Sequence, residues 1–295
     1  MAGRFGSVLS AMVTPFDAEG ALDLDAAVSL ARWLQANGND GLVIAGTTGE
    51  APTLTDAEHL DLLAAVSEAV TIPVVAGTGS NDTQHAIEMT AKASALGIAG
   101  CLVVTPYYNR PSQAGLEAHF KAVAAATALP VIVYDIPIRT GRKVSTDLLL
   151  RLARDVTNIV AVKDAAGNPS ESAVLLARAP SGLELYSGDD SFTLPLLAIG
   201  AVGVIGVATH WSGVEHGEMI SSFEKGDVVA ARETNARLLE SYAFETSDDT
   251  PNPIPTKAMM RVLGHAVGQC RPPLGPAPAG TEERARQVID NLRRV

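Results

Sequence analysis

One lysine stands where a hydrophobic residue would be expected. The run Ile159-Val160-Ala161-Val162-Lys163 is a buried-strand sequence that ends on an ammonium group. Removing that charge from water is costly, and a buried lysine drifts toward its neutral amine. A neutral amine can attack a carbonyl to form a Schiff base, although a strand-end lysine can also snorkel back to water. The chain has six lysines against sixteen arginines, and the other five fall in polar or helix-like stretches.

Other reactive groups also follow short apolar runs. They are Gly46-Thr47-Thr48-Gly49-Glu50, Thr105-Pro106-Tyr107-Tyr108-Asn109-Arg110-Pro111, Tyr134-Asp135-Ile136-Pro137-Ile138-Arg139-Thr140-Gly141 and Ser187-Gly188-Asp189-Asp190. A lysine nucleophile needs a proton carrier to form and dehydrate a carbinolamine, and a tyrosine one strand away, relayed by other hydroxyls, suits that task. Glycine amides and threonine hydroxyls can hold a carboxylate, and an arginine can clamp a second one through two hydrogen bonds. Singly, these groups have plainer readings as a tight turn, packing aromatics or a surface ion-pair partner. Together they describe a Schiff-base aldolase acting on 2-oxo acids.

Two other chemistries fit less well. Asp189-Asp190 lacks a nearby histidine or further carboxylate to complete a metal site, and His210 and Glu215-His216 do not match a zinc-binding HExxH pattern. Gly77-Thr78-Gly79-Ser80-Asn81 lacks the third glycine and the ribose-binding acid of a dinucleotide loop.

Bringing these groups to one rim requires a particular scaffold. Eight apolar runs are bounded by Gly, Pro or Asn: Val8–Val13, Gly41–Ala45, Pro73–Ala76, Gly100–Thr105, Pro130–Tyr134, Ile159–Lys163, Leu183–Ser187 and Val202–Val207. They are apolar throughout rather than alternating, as strands buried on both faces of a parallel sheet must be. Helical periodicity lies between most neighbours. In Asp25–Asn37 the face is Val28, Leu30, Ala31 and Leu34, and Thr55 with Glu58 forms a capping-box signature. Eight such units predict a closed (β/α)8 barrel, with an open doubly wound sheet as the runner-up. Active sites of such barrels are built where strands end and the following loops begin.

After about residue 212 the strand signal stops. Val214–Lys225, Asp227–Ser241, Pro255–Leu263 and Thr281–Leu292 read as helices, and Arg271–Pro278 as a rigid extended linker. The expected division is a catalytic barrel over 1–225 and a small helical domain over 226–295.

Composition limits the partners. The chain has 295 residues, 47% hydrophobic, with a formal net charge of −11. An acidic chain is a poor match for nucleic acid or an anionic membrane. Cys101 and Cys270 stand alone, which suits a reducing compartment. Lacking a signal-like leader and any apolar run of membrane-spanning length, the chain reads as a cytoplasmic protein.

At these residues the chain resembles the dihydrodipicolinate synthases, within the N-acetylneuraminate lyase family of class I aldolases. The likeness runs nearly end to end, through Gly46–Glu50, Thr105–Pro111, Tyr134–Gly141, Val162–Asp164, Ser187–Asp190 and Pro251-Asn252-Pro253-Ile254-Pro255. It implies a homotetramer built from tight dimers, with no metal and no organic cofactor. Lys163 would form the imine with pyruvate, and Tyr134 would shuttle protons. Thr47 would link Tyr134 to Tyr108, contributed by the neighbouring subunit. Thr48 would hold the pyruvate carboxylate, Arg139 would bind that of L-aspartate 4-semialdehyde, and the backbones of Gly188 and Ile205 would line the lysine's pocket. A sugar-acid aldolase or dehydratase, an N-acetylneuraminate lyase and a non-catalytic metabolite-binding paralogue are the alternatives. Arg139 and the Tyr107-Tyr108 pair favour the synthase.

The resemblance also bears on feedback by L-lysine. Asn81, His59 and Tyr107 fit the sensitive pattern, whereas Ala51, Asp56 and His85 replace its serine, histidine and glutamate. Without that glutamate the ligand's ammonium loses a carboxylate partner, so weak or absent inhibition is expected.

Overall fold

The structure, a computed structural model, describes residues 3–294. Eight strands run in parallel and close on themselves: β1 (Val8–Ala11), β2 (Gly41–Ile44), β3 (Val74–Gly77), β4 (Gly100–Val104), β5 (Val131–Asp135), β6 (Ile159–Asp164), β7 (Glu184–Ser187) and β8 (Gly203–Gly206). The last closes the ring against the first, with Leu9 opposite Ile205. This is the expected (β/α)8 barrel, each strand lying within about two residues of its apolar run. The closed ring rules out the open sheet.

Strand residues are buried on both faces. One set fills the barrel interior, including Leu9, Val43, Val75, Leu102, Ile132, Ala161, Tyr186 and Ile205. The other, including Leu42, Ile44, Ala76, Cys101, Val133 and Val162, packs beneath the helices. Each fully buried aliphatic side chain contributes about 1.5–3 kcal/mol. At the N-terminal end Phe5 is buried, and its amide donates to the Tyr186 hydroxyl at 3.3 Å, closing the barrel floor.

The first helix spans Leu24–Ala36, with Asp23 accepting from the Ala26 amide at its start. Its buried face is Ala27, Leu30, Ala31 and Leu34, so Ala27 takes the place expected of Val28, in keeping with i, i+3, i+4, i+7 spacing. The helix Asp56–Ala69 opens on the expected capping box of Thr55 and Glu58. Thr83–Ala93, Gln113–Ala124, Thr146–Asp155 and Pro169–Arg178 follow in turn, and β7 is followed by a 3-10 turn, Asp190–Phe192, and the short helix Thr193–Leu197.

The helix expected to begin at Val214 begins at Thr209 instead, and runs to Glu224 with a kink at Ser212. Its first turn is Thr-His-Trp-Ser-Gly, which carries neither a side-chain cap nor an apolar period. Beyond it come Val228–Phe244, Ile254–Val262 and Thr281–Arg293. Their apolar faces share one cluster, Leu238, Tyr242, Met259, Val288 and Leu292, with Trp211 and Met219 of the preceding helix.

Arg271–Pro278 is not extended, contrary to expectation. The Leu274 and Gly275 amides both return to the Arg271 carbonyl, at 3.1 and 3.3 Å, forming a turn. The Arg271 guanidinium holds that turn against the barrel by donating to the Gly20 and Thr53 carbonyls and to Glu58. Side-chain anchoring outweighs the extended bias of the prolines here.

Candidate active site

Tyr134 and Lys163 end neighbouring strands and are register partners. Both point into the barrel and are all but buried, with 4% exposure each. The Lys163 Nζ lies 4.4 Å from the Tyr134 ring centroid. The next residues, Asp135 and Asp164, are also register partners, and strand alternation turns them to the outer face. Asp135 accepts from Lys143 Nζ at 2.9 Å and from the Val144 amide at 3.1 Å. Asp164 accepts from the Ala166 amide at 2.9 Å and from the Ser172 hydroxyl. These carboxylates pin the two strand ends that carry the lysine and the tyrosine.

Burial sets the protonation of the pair. It lowers the Lys163 ammonium to about 8, with the Asp190 and Glu245 charges opposing and that of Arg139 assisting. About a tenth of the side chain is therefore neutral amine at pH 7, and about half at pH 8, far more than for an ordinary lysine. Burial pushes the Tyr134 hydroxyl well above the usual phenol range, partly offset by the Arg139 charge and by a hydrogen bond from Thr47. The tyrosine is a protonated phenol at rest.

Space beside the lysine is made by glycine. A Cβ at Gly188 would lie 2.9 Å from Lys163 Cγ and 3.0 Å from Cε, so any side chain there would displace the lysine. Ile205 stands in β8 within the same interior cluster as Tyr134.

The turn after β2 brings up the threonines. Ala45 and Glu50 flank it in left-handed backbone, at φ 54° and 55°, a strained setting for non-glycine residues that recurs at functional sites. Thr48 is 2% exposed, and its hydroxyl accepts from Asn252 Nδ2 at 2.9 Å. Arg139 sits on the single helical turn Pro137–Thr140 after β5, exposed, with Nη2 at 3.5 Å from the Asn252 carbonyl.

Lys163, Tyr134, Thr47, Thr48, Arg139 and Gly188 all line one cavity of about 470 Å3. A second, of about 310 Å3, shares Thr47, Tyr134 and Arg139 with it and extends past Ala51, Tyr107 and Leu274. Tyr108 joins neither: it is 90% exposed, in left-handed backbone at φ 71°.

The placements of three site residues escape sequence reasoning. Asn252 lies in the Pro-Asn-Pro-Ile-Pro motif, yet nothing in the sequence points it at Thr48. Glu245 lines the main cavity because the helix expected to stop at Ser241 continues to Phe244. Asp190 is turned inward, where it accepts from the Val207 amide at 2.8 Å. A fourth surprise lies deeper. Lys257, expected only to be helix-like, is fully buried and pairs with Glu50 at 2.6 Å.

A buried lysine whose ammonium is lowered and a protonated tyrosine at adjacent strand ends of a (β/α)8 barrel define an imine-forming barrel lyase. The sequence profile of the dihydrodipicolinate synthetase family matches residues 4–292. The chain belongs to that family. It is 53% identical over 285 residues to the 4-hydroxy-tetrahydrodipicolinate synthase of Acidothermus cellulolyticus, covering 96% of this chain and 91% of the relative. The crystal structure of the enzyme from Cyanidioschyzon merolae with lysine bound superposes with a TM-score of 0.96 at 41% identity, covering 99% of this chain and 100% of that one. That of the Acinetobacter baumannii dihydrodipicolinate synthase complexed with pyruvate gives 0.93 at 34% identity, with the same coverage.

Proposed function

We infer that this chain is a 4-hydroxy-tetrahydrodipicolinate synthase, which condenses pyruvate with L-aspartate 4-semialdehyde in the biosynthesis of diaminopimelate and lysine. The observation that carries the reading is a buried strand-end lysine, its ammonium lowered to about 8, beside a buried phenol. The Lys163 amine adds to the pyruvate ketone, and Tyr134 donates the proton that lets water leave the carbinolamine. Loss of a methyl proton from the iminium gives the enamine, whose carbon attacks the aldehyde of the second substrate. The substrate amine then displaces Lys163 from the imine carbon, closing the ring and freeing the enzyme.

Thr48 and its neighbouring amides are suited to the pyruvate carboxylate, Gly188 and Ile205 to the walls of the lysine's pocket, and Arg139 at the rim to the second carboxylate. Thr47 relays protons between Tyr134 and a tyrosine hydroxyl beyond it. Tyr108 fills that last place in a neighbouring copy, within a tight dimer that pairs into a tetramer. Its exposure and its absence from the cavities of its own chain support this assignment. The chemistry calls for no metal or organic cofactor. The acidic charge and the lack, among the described residues, of any helix long and apolar enough to cross a membrane favour a cytoplasmic enzyme without nucleic-acid or membrane partners. Residues 226–295 serve as a helical domain that completes the cavity wall.

The test is a coupled assay with pyruvate and aspartate semialdehyde, together with borohydride reduction in the presence of pyruvate. One reduced pyruvyl group on Lys163 is expected. Labelling elsewhere, or none, would refute the mechanism.

A further inference from the structure

Beside Lys163 lies a pair of acids that the steps above leave unused. Asp190 follows β7, and Glu245 caps the helix Val228–Phe244; they are 1% and 8% exposed. The amide of Ala208 donates to both, at 3.1 Å to Asp190 Oδ1 and 3.1 Å to Glu245 Oε2. The carboxyl groups are thus brought together at one donor, and burial and Asp190 raise that of Glu245. Like carboxylates converging on one N–H in a buried setting do not both ionise.

Their surroundings decide which one does. Asp190 also accepts from the Val207 amide at 2.8 Å and lies 3.5 Å from His216 Nε2. Gly206 is bare beneath it, since a Cβ there would collide with Asp190 Oδ1. Burial and the charge of Asp190 push the Glu245 carboxyl well above its usual range. Burial works against ionisation of Asp190 too, but His216, the Val207 amide and Lys163 together hold it below the ordinary value. The other groups facing the pair are Asp189, His210 and Tyr242.

We propose that Asp190 and Glu245 share a single proton and stand as one negative charge against Lys163, balancing the cation on its nitrogen as ammonium and then as iminium. Both are positioning residues that act through the lysine, and the inference rests on the reading that Lys163 forms the imine. A pair sharing one proton has a property that a lone acid lacks. If either member becomes an amide, the other carries the charge, so only the double replacement leaves the lysine nitrogen without its counter-charge.

Two measurements test this on the intact protein. At about pH 8, where exposed carboxyls are ionised, the infrared spectrum should retain the carbonyl stretch of one protonated carboxyl, lost in Glu245→Gln. Separately, the rate of cyanoborohydride trapping of the pyruvate imine is followed against pH. Asp190→Asn and Glu245→Gln singly should move the midpoint of its acid limb by less than about half a pH unit. The double variant should move it to lower pH by about one unit or more, because an uncompensated ammonium loses its proton more readily. It should also need severalfold more pyruvate for half-saturation.

A missing infrared band, a double variant with the wild-type midpoint, or a single variant shifted by a full pH unit would overturn the proposal. If the double variant fails to fold, the band and the single variants still decide. Absence of pyruvate trapping in the wild-type protein would count against the imine reading, whereas the infrared band tests the shared proton independently.

Discussion

Tyr134 and Lys163 face one another across adjacent parallel strands, with the lysine nitrogen 4.4 Å from the centre of the tyrosine ring. Their order is fixed by backbone register rather than by loop conformation. The flanking Asp135 and Asp164, tied to the barrel's outer layer, keep that register at the strand ends where it would otherwise fray.

A lysine held at about 8 sets the pH dependence of imine formation. Only the neutral amine attacks, so trapping with pyruvate should rise roughly tenfold per pH unit well below about pH 8 and level off above it. A trapping rate still climbing at about pH 10, near the value for an ordinary lysine, would contradict the buried setting.

Tyr134→Phe removes one hydroxyl and leaves the packed ring. Turnover should fall by about 10²–10⁴-fold. Stability should change by about 1 kcal/mol, the usual scale for a lost hydrogen bond. Steady-state kinetics together with urea unfolding separate the two effects.

Arg139→Ala should act on the second substrate. The expected result is a KM for aspartate semialdehyde raised by at least about tenfold, as befits a lost charge-assisted pair, while pyruvate trapping changes by less than about twofold. Equal damage to both steps would remove Arg139 from the role of carboxylate clamp.

The buried pair of Lys257 and Glu50 underlies the threonine turn. Glu50 also accepts from the Arg271 amide at 2.8 Å, and Lys257 also donates to the Gln269 carbonyl at 2.9 Å. Lys257→Met should destabilise the protein by about 3–5 kcal/mol by stranding the carboxylate, and adding Glu50→Gln should recover part of that loss. Chemical denaturation of the single and double variants measures both.

Feedback by L-lysine should be weak or absent. Where the sensitive pattern has a glutamate, His85 is engaged with Asp56 at 2.9 Å. An imidazole at that position offers the ligand's ammonium no carboxylate. The coupled assay with added L-lysine checks this, and inhibition at sub-millimolar concentration would refute it.

The barrel was legible because parallel strands buried on both faces must be apolar throughout, and eight such runs leave little freedom. Lys163 stood out for the same reason, as a charge ending a run that otherwise excludes charge. The acids around it were not legible. Asp190 is present in the motif after β7, but nothing in the sequence shows that it turns inward, and Glu245 lies beyond the expected end of its helix. Lys257 is hidden because its helix is buried all round, so no polar face marks it. The turn at Arg271–Pro278 was misjudged because proline bias is local, whereas the guanidinium contacts that fold it reach Gly20, Thr53 and Glu58.

The hydrogen bond from Asn252 to Thr48 joins residues from opposite ends of the chain. A fragment ending at residue 225 would retain Lys163 but lack this contact and the cavity wall that Glu245 and Asn252 supply. Exchanging tails between relatives would therefore transplant part of the binding surface. The smallest unit that can inherit this catalyst's selectivity reaches past the barrel into the segment that follows it.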